Sequence, residues 1–170
     1  MPNMKQIISN HNKALCKKND SQEPTKSCNC RQNKTCSLDG KCLTTGIIYQ
    51  ATVTREDNGK EDTYIGLTDN TFKTRYNGHT SSFNNERSRY STTLSHHIWS
   101  LKDENVPHNI KWKAIKRSNS YSTSSKTCNL CLQEKYFIIC KPEMSSLNNR
   151  NELASECRHK KRHLLCALKD

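Results

Sequence analysis

Hydrophobic positions are spread unevenly along the 170-residue chain, and their spacing divides it into three parts. Residues 1–26 are polar apart from Ile7, Ile8 and Leu15 and read as a tail or linker. Residues 27–44 are dominated by SCNCRQNKTCSLDGKC, too polar for a core of their own, with Gly40 predicting a tight turn before the last cysteine. From residue 45 to 170 the texture is that of a folded domain. GIIYQATVT is rich in β-branched and aromatic residues and predicts a strand, and Asn58-Gly59 within EDNGKED predicts a hairpin leading into a second strand, TYIGLT.

Phe72, Tyr76, His79 and Phe83 then recur at helical spacing. Gly78 weakens that helix by about 1 kcal/mol relative to Ala without forbidding it. Leu94, Ile98, Leu101 and Val106 predict a second helix ending before Pro107. HNIKWKAIKR sets Ile110, Trp112 and Ala114 against Lys111 and Lys113, a third strand with a basic face. SNSYSTSSK reads as a loop, CNLCLQEKYFIIC as a buried helix, and NRNELASECRHKKRHLL as a last helix or turn. The predicted fold class is α+β, strands first paired in a hairpin and helices packed around them.

Charge narrows the partners. Lys and Arg number 28 against 16 Asp and Glu, a formal net charge of +12, which favours a polyanion: DNA, RNA or an acidic membrane surface. For a nucleic-acid partner the expected contacts are Lys73, Lys111, Lys113, Lys116, Arg117 and the basic run Arg158, Lys160, Lys161, Arg162 around His159. No run approaches the roughly 18–20 apolar residues of a membrane span, and the opening MPNMKQIISNHNK lacks a signal-length apolar segment. A soluble, intracellular protein with no membrane partner is expected. Ten cysteines in such a compartment point to thiolate metal sites ahead of disulfides.

Cys28, Cys30, Cys36 and Cys42 supply four soft ligands, enough to close a tetrahedral zinc site; unrelated thiols or two disulfides are the alternatives. A second zinc site can be drawn from Cys128, Cys131, Cys157 and His159, with His163 able to replace His159 and simple packing of the cysteines as the alternative. Tyr49 and Tyr64 fall on one face of the predicted hairpin, and Arg75 and His79 on one face of the following helix, so a phenol, a guanidinium and an imidazole can converge on one phosphate. Tyrosines that merely pack, with a wet hydroxyl, are the bland alternative.

Gly46-Ile47-Ile48-Tyr49 followed by Tyr64-Ile65-Gly66, then Arg75, His79, Glu134 and Asn148 in that order, resembles the GIY-YIG nuclease domain over residues 46 to about 149. An extra isoleucine separates Gly46 from Ile48-Tyr49. CNCRQNKTC, FKTRYNGHTSSF and ECRHKK are similar to the form carried by Penelope-like retroelements. The resemblance implies a small domain with a three-stranded antiparallel sheet flanked by helices, here behind an N-terminal zinc knuckle, and metal-dependent DNA nicking for retroelement integration. A reverse transcriptase of the same element is then the implied partner and the nucleus the implied location.

It further implies that Glu134 holds Mg2+ or Mn2+ and that Tyr49 acts as base or proton relay with His79 assisting. Tyr64 and Arg75 would position the phosphate, and Asn148, or its neighbour Asn149, would orient the site. A phenol near pKa 10 is a poor base at neutral pH, so Arg75, the metal or a lysine must lower it. The competing expectations are a non-catalytic, zinc-stapled nucleic-acid-binding module and a DNA-repair nuclease of the same fold.

Overall fold

A computed structural model describes residues 27–118 and 128–148, together with two short strands at 156–157 and 162–163. Strand β1 (Ile47–Arg55) and strand β2 (Glu61–Thr68) form the expected hairpin; in the turn between them Gly59 N–H donates to Arg55 O at 3.0 Å. Helix α1 (Phe72–Asn84) and helix α2 (Thr93–Asp103) follow, then strand β3 (His108–Arg117) and helix α3 (Asn129–Cys140). The sheet is antiparallel throughout, in the order β2-β1-β3, so β1 is central. Its opening Ile47-Ile48-Tyr49 is buried at every position because both faces of the sheet are covered there.

Alternation along the strands builds two cores. Ile47, Tyr49, Ala51, Val53 and Tyr64 project to one side and meet Phe72 of α1 and Leu94, Ile98 and Leu101 of α2. Ile48, Ile65 and Leu67 project to the other side and meet Leu130, Cys131 and Ile138 of α3. Thr71 and Thr92, each just outside a helix, accept from the N–H groups of Thr74 and Ser95 and start α1 and α2. The two helices are joined by the buried hydroxyls of Ser82 and Ser95, 2.6 Å apart.

On β3 the pairing skips a residue: Tyr49 faces Ala114 while Ile48 faces Lys116, and Ile115 is left over as a bulge. Ile110 and Trp112 therefore serve the first core, whereas Ile115 turns to the second. Gly46, just before β1, has φ +62° and its missing Cβ would lie 2.6 Å from the Ser118 carbonyl oxygen, so only glycine fits where the chain enters the sheet.

In the C-terminal stretch, expected as a helix or turn, strand β4 (Glu156–Cys157) pairs antiparallel with strand β5 (Arg162–His163), which corrects the helix alternative at these four residues; the rest of the stretch lies outside the described residues. The tail at 1–26 and most of the SNSYSTSSK loop lie outside the described residues. No helix among the described residues is long and apolar enough to cross a membrane.

Candidate functional site

The hairpin register sets the centre of the site. Tyr49 pairs with Gly66 and Ala51 with Tyr64, so both phenols rise from the same face of the sheet, as their spacing predicts. The Tyr49 ring leans across Gly66: a Cβ there would lie 2.4 Å from the phenol oxygen and 2.5 Å from Cζ. Gly66 is thus the gap through which Tyr49 reaches its partners. Phe72, His79 and Trp112 close around the ring, at centroid separations of 5.2, 5.9 and 5.9 Å, and Tyr49 has no exposed surface.

Helix α1 brings Arg75 and His79 to this phenol, four residues and about one turn apart. Arg75 Nε donates to the Tyr49 oxygen at 2.8 Å, and His79 Nε2 lies 2.8 Å from the same oxygen. A hydrogen bond to Tyr64 also acts on Arg75, which therefore links the two phenols. Burial, and then the charge of Arg75, push the imidazole of His79 down to about 3, so it is neutral at physiological pH. With its proton on Nδ1, Nε2 accepts the phenolic hydrogen.

Arg75 was expected to help lower the Tyr49 phenol, and by itself it does not. Burial raises it, the Tyr64 and Glu134 charges add to the rise, and the opposing pull of Arg75 does not overcome them. The protein alone keeps Tyr49 protonated.

Glu134 lies on α3, in the layer across the sheet, with 6% of its surface exposed. Its carboxylate is nonetheless near enough to act electrostatically on Tyr49. Asn148 contributes differently: its Oδ1 accepts from Ile65 N–H at 2.7 Å and its Nδ2 donates to Ile65 O at 2.9 Å. The side chain thereby pairs with the free edge of β2 between Tyr64 and Gly66, and it orients the site through the strand. Leu147 N–H continues this edge, donating to Thr63 O at 2.9 Å.

A cleft of about 440 Å³ opens beside this network, lined by Leu67, Thr68, Asp69, Asn70, Thr74, Arg75 and Gly78. Gly78 faces open space, so a side chain there would project into the cleft rather than clash. Its place in the helix pattern suggested only a weak point; lying three residues from Arg75 was the missed signal. Glu134 does not line this cleft. Trp112, packed 5.3 Å from the His79 ring, was legible only as a strand residue on the apolar face.

The expected basic contacts separate. Lys111, Lys113, Lys116 and Arg117 are exposed on β3. Ile47 pairs with both Thr68 and Arg117, so Arg117 stands at the cleft end of the sheet, two strand spacings or about 10 Å across from Thr68. Lys73 is engaged elsewhere, its Nζ donating to Asn29 Oδ1 at 2.6 Å. Arg158, Lys160 and Lys161 lie outside the described residues, and Arg162 is part of β5.

The N-terminal cysteines do converge. The sulfur atoms of Cys28, Cys30, Cys36 and Cys42 all lie within 4.8 Å of one another, with 3.6 Å between Cys28 and Cys36, 3.7 Å between Cys30 and Cys42 and 3.5 Å between Cys28 and Cys42. A zinc–sulfur distance of about 2.3 Å places tetrahedral thiolates about 3.8 Å apart, so the set can hold a zinc ion. Backbone donors support it: Cys30 N–H points at Cys28 Sγ at 3.3 Å. Burial raises the Cys36 thiol, but N–H groups of Leu38 and Gly40 directed at it bring it down to about 6. Burial and the Cys28 sulfur push Cys42 up to about 12.

Cys28, Cys30, Cys36, Cys42, Cys128, Cys131 and Cys140 form no disulfide. Cys128 and Cys131 are buried in the second core with Ile48, Ile65 and Leu67, and among the described residues no third metal-ligand side chain joins them. Of their expected partners, His159 lies outside the described residues and Cys157 falls in β4. Comparisons with models of protein families, with curated proteins and with solved structures each find no match, so the chemistry of the site is read from its geometry.

Proposed function

We propose that this chain is a GIY-YIG-type, metal-dependent DNA endonuclease that hydrolyses phosphodiester bonds, in the manner of the retroelement enzymes its motifs resemble. The observation that carries the reading is the meeting of Arg75 and His79 at one buried phenol, each 2.8 Å from its oxygen, beside a cleft that Arg75 itself lines. Packing alone does not require a guanidinium and an imidazole on the same tyrosine; a phosphate with an attacking water gives both a use.

A guanidinium carries five donors, and the phenols do not exhaust them. Arg75 is left to fork the oxygens of a phosphate in the cleft and to stabilise the charge that builds on them. A water admitted from the cleft beside Arg75 would give its proton to the buried Tyr49 as Tyr49 passes its own to His79 Nε2, so a buried phenolate never has to form. Tyr64 steadies Arg75, and Asn148 holds the strand from which Tyr64 rises. Arg117 and Lys116, at the cleft end of β3, extend the positive surface along a polyanion.

A hard divalent cation fits the donor chemistry, since Glu134 is a buried carboxylate whose charge reaches Tyr49. Glu134 would hold Mg2+ or Mn2+, which as a Lewis acid supplies the positive charge that the phenol lacks without it. The raised phenol and the weak imidazole favour a second reading, a zinc-stapled DNA-binding module without catalysis.

Supercoiled-plasmid nicking separates the two. Wild-type protein with Mg2+ or Mn2+ converts plasmid to open circle, and Glu134→Ala fails to while binding it as tightly. A wild type that binds plasmid and leaves it intact with either cation refutes the enzyme reading.

A further inference from the structure

The first turn of α1 has N–H groups that no residue of the helix can satisfy. Thr71 takes one, from Thr74, through its side chain. The other two described donors are satisfied by the cysteine knuckle: Phe72 N–H donates to Thr44 O at 3.0 Å and Lys73 N–H to Cys42 O at 2.8 Å. The second acceptor is the carbonyl of a residue whose own sulfur is one of the four metal-ligand atoms.

Two further contacts tie the same knuckle to the same helix. Lys73 Nζ donates to Asn29 and stands 4.0 Å from Cys30 Sγ, so a positive charge faces four thiolates that leave a bound Zn2+ with a net negative charge. Leu38, between Cys36 and Cys42 in sequence, is buried in the core shared by Tyr49 and Phe72. Arg75 follows Lys73 by two residues and His79 by six.

We infer that zinc bound by Cys28, Cys30, Cys36 and Cys42 positions the phosphate site, by holding the knuckle as the cap that fixes the start of α1 and so the seating of Arg75 and His79 on Tyr49. The knuckle spans 18 residues and buries only Cys36, Leu38 and Cys42 among its hydrophobics, so its shape depends on the metal. A shift of α1 by about 1 Å would carry both 2.8 Å contacts beyond hydrogen-bond range. The link to nicking rests on the proposed nuclease function; the link between zinc and α1 does not.

Amide hydrogen exchange on the full chain tests it, with zinc present and after withdrawal by a zinc-selective chelator under reducing conditions. Phe72 and Lys73 amides should exchange at least about 10-fold faster without zinc, while the Ile65 amide, bonded to Asn148, stays within about 3-fold. Trp112 emission, read in a Trp99→Phe background, should shift with them, since Trp112 packs on Phe72, Tyr76 and His79 of α1. Added zinc should restore both, Cys30→Ser should mimic withdrawal, and nicking should fall at least about 10-fold in step.

Unchanged protection at Phe72 and Lys73, or equal loss at Ile65, overturns the inference, as does a chain that binds no zinc. Zinc-loaded protein that never nicks DNA refutes the proposed reaction and leaves the exchange result to decide the coupling.

Discussion

Gly66→Ala asks whether the Tyr49 phenol is held where the site needs it. The added methyl would sit 2.4 Å from the phenol oxygen, where ordinary contact begins at 3.4 Å, so the hydroxyl must withdraw by about 1 Å. The ring has no free side to retreat into, because Phe72, His79 and Trp112 surround it. Overpacking of this kind costs about 1–3 kcal/mol, and losing both hydrogen bonds of the phenol adds about 1 kcal/mol each, for about 3–5 kcal/mol in all. Backbone entropy acts the other way, since alanine for glycine in a compatible strand stabilises by about 0.4–1 kcal/mol.

Urea unfolding, with the slope checked for constancy, measures the sum. In a Tyr49→Leu background, which removes the ring, the same substitution should cost less than about 1 kcal/mol. A Gly66→Ala protein as stable as wild type in both backgrounds would refute the placement of Tyr49.

Acid should destabilise the fold through His79. Its pKa is depressed from 6.5 to about 3 in the folded state, so the unfolded chain binds the extra proton between these values and stability falls as pH drops through that window, by up to about 5 kcal/mol. His79→Gln should flatten that part of the pH–stability profile, and an unchanged profile contradicts a buried neutral imidazole. Asn148→Ala removes both bonds to the edge of β2 and should cost about 1–3 kcal/mol, read by urea unfolding, with faster exchange at Ile65; no change in either would free the edge strand from this side chain. Elemental analysis should find one zinc per chain, lost in Cys36→Ser and retained in Cys128→Ala, because Cys128 packs in a core; metal lost equally in both would contradict that division.

The strands and the phenol pair were legible because their signals are local. GIIYQATVT carries the β-branched and aromatic residues of a strand, and Asn58-Gly59 marks the hairpin whose register puts Tyr49 and Tyr64 on one side. The spacing of Arg75 and His79 fixed their shared face, and four cysteines within fifteen residues announced their cluster.

What escaped depends on distance along the chain or on bulk electrostatics. Asn148 meets Ile65 across 83 residues, and a side chain bonded to a strand edge leaves no periodic trace. The skip at Ile115 appears only once β1 and β3 are paired. The cap that Cys42 and Thr44 place on α1 uses backbone carbonyls, which any sequence supplies. The rise in the Tyr49 phenol reflects its complete burial, which outweighs the nearby guanidinium that residue identities alone suggested would lower it. The pairing of 156–157 with 162–163 joins short polar segments that carry no strand periodicity of their own.

In the proposed reaction water loses its proton through Tyr49, and single-turnover nicking by Tyr49→Phe measures that directly. The substitution removes one oxygen and leaves the ring, so the DNA affinity should stay within about 3-fold, while the rate of strand cleavage with Mg2+ or Mn2+ falls by about 10²–10⁴. Cleavage by Tyr49→Phe at the wild-type rate would contradict the claim.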